Sequence, residues 1–450
     1  MNNSLLGLPI VLALILKAQL AYSLDYCEAS NSRDDSQLHQ IDQLVYQSIN
    51  NNTDLDIAKL NLKIADLSIK KSLATFYPSI DLRSSSINTK KYGQIPGVDT
   101  VLLQGNDNIN SSVSTLSTTL NIYSGGHSIN SYRQAKNRRQ FTHLQRLDTK
   151  RQLIYKTIEL YGEVKEESLK LQYLQAKMEF AHFEKELNQY KAKKGQLSEI
   201  QHQKTQIELR ILAADIEGQT GLFEDSLSRL SAFAGIQFEQ LTDIRNSIAE
   251  SSDCYHRVFA NHAGLERKDS IDRLKLKNEI KDLRYEHKKI LSRYKPSIDI
   301  VASIDATGYS EDSLRDSFSE SEKDKRYYGI QLQWNLFDGF AKGADLQKVK
   351  LEIAKKHKQL DRQQTDELLE RSKLSSEFSN IQSQIRVLKN KSEIISEEIY
   401  LLRAKLSKGL DSQLSLKQAE LTYADFQLQI KRLEVNLGIT QLRLYMLSQH

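Results

Sequence analysis

The side chains best suited to metal chemistry that lie close together in this chain are Cys254, His256 and His262. Their C-x-H-x5-H spacing matches no standard zinc set, so the segment reads as a polar connector. No G-x-S-x-G elbow, P-loop or H-E-x-x-H pair occurs, and the acids are spread along helix faces instead of being paired. The expectation is a protein that is not an enzyme and holds no metal or cofactor. The remaining thiol chemistry is a bridge. Cys27 lies near the start of the first half of the chain and Cys254 near the start of the second, and in an oxidising compartment such equivalent positions suit a disulfide. Two separate thiols are the alternative.

Export is the prior question. Leu5 to Leu16 is an apolar run, and Ala21-Tyr22-Ser23 supplies small residues for cleavage, so residues 1–23 read as a signal peptide. The run is too short for the ~20 residues that span a bilayer. Beyond it no continuous apolar stretch could be a membrane helix, and mean hydropathy is -0.53. That excludes an inner-membrane transporter but not a β-barrel, whose strands alternate and barely raise the mean. The net charge of +5 is spread over 63 basic and 58 acidic residues, a salt-bridged surface and not a nucleic-acid footprint.

Proline placement indicates long helices. After Pro9 come only Pro78, Pro96 and Pro296, leaving two long stretches without the helix breaker. The chain also repeats itself at an offset of 214 to 218 residues. Phe76-Tyr77-Pro78-Ser79-Ile80-Asp81-Leu82 returns as Tyr294-Lys295-Pro296-Ser297-Ile298-Asp299-Ile300. Asn121-Ile122-Tyr123-Ser124-Gly125 returns as Asn335-Leu336-Phe337-Asp338-Gly339, and Lys194-Gly195 with Ser198 as Lys408-Gly409 with Ser412. So long a period is a duplicated domain-sized unit, not a solenoid. The halves are 24–250 and 251–450.

Each half changes period in the same order. A helical stretch (33–74, 258–292) leads into strands expected near 77–88 and 112–123, then 296–308 and 326–337. In the last, Tyr328, Ile330, Leu332, Trp334 and Leu336 share one face, and Gly329, Gln331, Gln333 and Asn335 the other. Ile298, Ile300, Ala302, Ile304 and Ala306 alternate likewise, while Leu116, Thr118, Leu120 and Ile122 do so more weakly. Pro78 and Pro296 stand at strand starts, where a missing N–H is tolerated. After each strand pair a glycine turn opens a long helix, 126–192 or 341–406, about 100 Å long. From Phe378 the apolar spacing alternates three and four through Ile381, Ile385, Leu388, Ser392, Ile395, Ile399, Leu402 and Leu406, broken only at Ser392. This is a coiled-coil seam. The same grid holds Val164, Leu171, Leu174, Met178 and Ala181. Each long helix reverses at a glycine turn into a return helix, 197–234 or 411–447.

Four strands cannot close a barrel, and an open edge in lipid leaves backbone groups unpaired at several kcal/mol each. Such a chain must share its barrel with copies of itself; three give twelve strands. Phe76, Tyr77, Tyr123, Tyr294, Tyr327, Tyr328 and Phe337 would supply interfacial girdles.

This order of elements, with a proline before the strands and an aromatic-[Ser/Asp]-Gly turn after them, resembles the TolC-type outer-membrane factors over residues 35 to 447. The resemblance rests on Tyr123-Ser124-Gly125-Gly126, Phe337-Asp338-Gly339 and the tip glycines Gly195 and Gly409. It implies a mainly α fold with a β-barrel portion: a homotrimer carrying a twelve-stranded barrel on an α-helical coiled-coil tunnel. It also implies a Gram-negative outer membrane, passive export, a periplasmic adaptor (membrane fusion) protein and an inner-membrane pump of ABC or RND type. The tips at Lys194, Gly195, Gln196, Leu197 and Ser198, and at Lys408, Gly409, Leu410, Asp411 and Ser412, would then ring the tunnel mouth and dock the adaptor. A left-handed C-cap is the purely structural reading of those glycines, with Lys194 and Lys408 as local dipole partners. Two departures stand out. Leu24-Asp25-Tyr26 before Cys27 is no lipobox, so no lipid anchor is expected. Asp411 is the only acid from 409 to 419, which puts a family-type aspartate gate in doubt. The function expected is type I secretion or multidrug efflux. The rival is an exported coiled-coil structural protein or adhesin without a pore, which has no need of lipid-facing alternation at 328–336.

Overall fold

A computed structural model describes residues 35–90, 108–196, 198–236, 255, 258, 270–310, 312–319 and 322–448. The signal segment, Cys27, Cys254, His256, His262 and Leu197 lie outside the described residues. In chain order the elements are α1 (Asp35–Asn51), α2 (Thr53–Leu73), a 3-10 turn (Ala74–Phe76), β1 (Ser79–Lys90) and β2 (Asn108–Ser124). Then follow α3 (His127–Lys193), α4 (Glu199–Ala234), α5 (Ile271–Ser292), β3 (Ser297–Ser310), α6 (Leu314–Ser319), β4 (Glu322–Gln333), α7 (Ala341–Ser407) and α8 (Gln413–Ser448). Among the described residues the fold is mainly helical with one four-stranded sheet. Among the described residues no helix is long and apolar enough to cross a membrane.

Helix boundaries follow local hydrogen bonding. Asn52 ends α1 and its Oδ1 accepts the Asp54 and Leu55 amides at 2.9 and 3.3 Å, capping α2, whose first turn carries Asp54 and Asp56. The single helical stretch expected over 33–74 is therefore two helices. Ser124 and Asp338 do the same for the long helices: Ser124 Oγ accepts the Ser128 amide at 3.1 Å, and Asp338 Oδ2 the Lys342 amide at 3.0 Å. The polar residue of each aromatic-[Ser/Asp]-Gly turn is thus a helix cap.

The chain forms two compact units. The first comprises residues up to 59, 145–273 and 362–450. Its main core gathers Ile41, Leu44 and Val45 of α1, Ile154, Ile158, Tyr161 and Val164 of α3, Phe223, Leu227 and Leu230 of α4, and Leu442 of α8. Tyr161 meets Tyr255 edge-on at 6.4 Å between ring centres. Along α7 the three-four seam packs on α8 as Ile381 and Ile385 against Ile430 and Leu437, then Ile399 and Leu402 against Ala419. The one break, Ser392, is 5% exposed, and its Oγ accepts Gln427 Nε2 at 2.8 Å. A polar pair at one seam position resists register slippage.

The second unit comprises residues 60–144 and 274–361 and holds the sheet, in order β1-β2-β3-β4, antiparallel throughout. Beneath it α3 and α5 are tied by Asn137 Nδ2 to the Asn278 carbonyl at 2.8 Å, and by Arg138 to Asp282.

Candidate functional surfaces: the sheet and the helix tips

Residues paired across an antiparallel ladder share a face, so the register sorts the sheet into rows. One face carries Ile80–Thr118–Ala302–Tyr328, Leu82–Leu116–Ile304–Arg326, Leu120–Ile300–Ile330 and Ile298–Leu332. Most of these side chains lie open in the protomer, Tyr328 at 90% and Ile330 at 75% exposure, while Thr118, Leu120, Ile298 and Ala302 are half-buried. From Ile298 to Ile304 is about 20 Å of strand. Tilted by ~40°, that covers about 16 Å, most of the ~25 Å apolar band of outer-membrane barrels. Further along the same face the rows turn polar, with Ser84–Ser114, Ser86–Ser112–Gly308 and Asn88–Asn110–Ser310. There α6 lies over the strands, and the buried Ser112 hydroxyl donates to the Ser317 carbonyl.

The opposite face is mainly polar, with Ile87, Val113 and Val301 interspersed. Asn121 Nδ2 donates to Asp299 Oδ1 at 2.7 Å, and Ser303 Oγ to Asp305 Oδ1 at 3.0 Å. Arg83, Thr115, Asp305 and Lys325 form one row, and Asn121, Asp299 and Gln331 another. Tyr327 pairs with Ser303 on this polar face, not with the apolar aromatics where it was expected.

Of the residues expected on the apolar face of the last strand, Tyr328, Ile330 and Leu332 lie on β4, whereas Trp334 and Leu336 lie beyond its end at Gln333. The cause is across the ladder. Gln333 pairs with Ser297, and the preceding residue is Pro296, which offers no N–H to extend the pairing. Residues 334–338 are held otherwise. Trp334 Nε1 donates to the Tyr294 carbonyl at 3.2 Å. The buried Lys342 Nζ donates to the Asn335 carbonyl at 2.8 Å and lies 5.4 Å from the Tyr294 ring centre. Lys342 escaped sequence reasoning, because nothing in its flanking residues marks burial.

The two tips share one geometry. At the first, the Gln196 amide donates to the Lys191 carbonyl and the Gly195 amide to the Ala192 carbonyl, both at 2.9 Å. At the second, Leu410 donates to Lys405 and Gly409 to Leu406, both at 3.0 Å. Both are Schellman closures, with Gly195 at φ 71° and Gly409 at φ 70°. A Cβ at either glycine would meet nothing within 4 Å, so backbone conformation alone calls for glycine there. Ser198 then caps α4, accepting the Gln201 amide, and Ser412 caps α8, accepting the Ser415 amide at 3.2 Å. Both serines are helix caps, so they are structural residues and not neutral probes of a surface. Lys194 Nζ lies 4.3 Å from the Tyr190 ring centre. The Asp411 carboxyl accepts the Ser412 amide at 2.8 Å, and that bond with the Ser415 hydroxyl holds it below the usual carboxylate range. Leu410 is exposed.

Among the described residues no group of His, Cys, Asp and Glu could hold a metal ion. A groove of about 570 Å³ lies between α7 and α8, lined in part by Val387, Leu388, Gln429 and Arg432.

Residues 292–448 match the model of the outer membrane efflux protein family. No curated protein matches by sequence. Solved structures match over nearly the whole chain. CusC, described for its folding and transmembrane channel formation, is 12% identical, covering 91% of this chain and 92% of its own at a TM-score of 0.69. The outer membrane protein VceC of Vibrio cholerae is 13% identical over 90% and 96%, at 0.67. The Campylobacter jejuni outer membrane channel CmeC is 14% identical over 89% and 86%, at 0.64. At these identities the likeness shows the fold: the chain folds as the outer-membrane efflux channels do, as its resemblance to the TolC type implies.

Proposed function

We propose that this chain is one third of a homotrimeric outer-membrane channel that exports substrate passively, for type I secretion or multidrug efflux. The observation carrying this is the sheet itself. It has a wide apolar face, a mainly polar opposite face, and two unpaired edge strands, β1 and β4. Such edges invite pairing with another chain, and in lipid they must be paired. Three copies would close twelve strands, with the apolar face towards outer-membrane lipid and the polar face around the lumen.

The helices support the same assembly. Val387, Ile394 and Leu401 recur every seven residues on α7 and are exposed, flanking the buried α7–α8 seam. Leu60, Ile64 and Leu67 on α2 form a second exposed stripe. Neighbouring copies would cover them and complete a helical tunnel, seating against the groove that Val387 lines. The tips at Lys194–Ser198 and Lys408–Ser412 would close the periplasmic mouth and dock the adaptor that links to an inner-membrane pump. A pore-free filament has no use for a sheet with one lipid-compatible face.

Outer-membrane fractions should contain a heat-modifiable trimer, and the purified protein should give discrete single-channel conductances in planar bilayers. A soluble, monomeric product without conductance would refute the proposal. Docking is tested by Leu410→Glu, which leaves both glycines and both capping serines in place. Trimers should still reach the membrane while adaptor cross-linking and export fall at least tenfold. Full export at normal abundance would remove docking from the second tip.

A further inference from the structure

The turns where α3 and α7 end carry charge of mainly one sign. After Glu186 the first tip carries Lys191, Lys193 and Lys194 against the single acid Glu199. After Glu398 the second carries Arg403, Lys405, Lys408 and Lys417 against Asp411 and Glu420. Glu420 is already satisfied by Arg403 at 3.0 Å and Lys417 at 3.1 Å. Asp411 is held by the Ser412 amide. Each tip therefore keeps an excess of about two positive charges. Helix dipoles do not offset it: the C-termini of α3 and α7 bring about half a negative charge each, and the adjoining N-termini of α4 and α8 about half a positive. Among the described residues no ion pair of Lys193, Lys194, Lys405 or Lys408 offsets the excess, and all four side chains are exposed.

We infer that these lysines make the periplasmic mouth selective for anions, so that the substrate class presented to this channel is negatively charged. The inference rests on the channel reading above, in which six tips ring the narrow end. Three protomers would place about a dozen excess positive charges around one aperture. Low-dielectric walls focus such a potential, and even one kT of it enriches anions over cations about sevenfold. The lysines stand on helix ends and turns whose backbone is closed by Schellman bonds, so their charge stays at the rim. An adaptor with acidic side chains would see the same field, but selectivity for small ions separates permeation from docking.

The experiment is the reversal potential of the full-length trimer in planar bilayers across a tenfold KCl gradient. Chloride should be preferred over potassium by about threefold or more near 0.1 M salt, with the preference decaying towards one near 1 M as screening shortens. The fourfold variant Lys193→Glu, Lys194→Glu, Lys405→Glu, Lys408→Glu should invert the preference. The corresponding glutamine variant, which adds no repulsion and tests the same point if the first fails to assemble, should abolish it. Conducting wild-type channels that prefer potassium, or variants with an unchanged reversal potential, would overturn the inference while leaving the channel reading intact. A wild-type protein that never conducts would overturn the channel reading, and this one with it.

Discussion

Gly125 and the tip glycines separate two reasons for needing glycine. Gly125, Gly195 and Gly409 all sit in the left-handed region, at φ 65°, 71° and 70°. Alanine at any of them incurs the left-handed penalty of about 1–2 kcal/mol. At Gly195 and Gly409 that is the whole cost, since an added Cβ meets nothing within 4 Å. At Gly125 the Cβ would stand 2.5 Å from the Ser292 carbonyl oxygen and 3.0 Å from Lys295 Cβ. Backbone at the end of α5 must then move, and overpacking of this kind adds about 1–3 kcal/mol. Gly125→Ala is thus expected to cost about 2–5 kcal/mol, against about 1–2 for Gly195→Ala or Gly409→Ala. Thermal unfolding of the trimer in detergent, followed by helical circular dichroism alongside outer-membrane abundance, measures the ranking. Gly195→Asn, which tolerates the left-handed region, should lie within about 0.5 kcal/mol of the unsubstituted protein. If Gly125→Ala is as mild as the tip alanines, the close approach of the β2–α3 turn to Ser292 is not structurally required.

Three further outcomes are expected. Ile330→Arg should impair assembly by ~2–4 kcal/mol, as a charge on a lipid face does, while Gln331→Arg on the opposite face should assemble normally; fractionation and heat-modifiability report both. Ser392→Ala should destabilise by about 1 kcal/mol by leaving the half-buried Gln427 amide without its acceptor in the seam, and adding Gln427→Leu should recover most of the loss in the same melting assay. Glu159 is partly desolvated, yet Lys156 at 2.7 Å, Tyr155 and Arg443 depress its pKa in the folded state. A depressed carboxylate contributes stability that is present above its unfolded value, near 4.5, and is lost as pH falls through the folded value. Glu159→Gln should therefore lower the melting temperature at pH 7 and flatten its decline below pH 4.5.

Long helices, strands and tip turns were legible because each rests on a local signal: missing prolines, period-two or three-four spacing, and glycine followed by a capping residue. The seam from Phe378 to Leu406 packs on α8 as its spacing predicts, and even its break at Ser392 has a partner. What was not legible depends on a second strand or helix. Alternation continues through Trp334 and Leu336, but pairing stops opposite Pro296, so those two leave the ladder. Tyr327 looked like a girdle aromatic by composition, and only register assigns it to the polar face. The burial of Lys342 likewise follows from its three-dimensional partners, the Asn335 carbonyl and the Tyr294 ring.

The most direct test is covalent closure between edge strands. With Cys27 and Cys254 changed to serine, one cysteine on the polar face of β1 at Asp81 is combined in turn with one on β4 at Lys325, Tyr327, Gly329 or Gln331. Oxidative cross-linking in intact outer membranes is then read on denaturing, non-reducing gels. At least one combination should convert the protein into covalent dimers and trimers, with the series ending at three. Cross-linking in no combination, or a ladder running past three, would contradict a barrel shared by three copies.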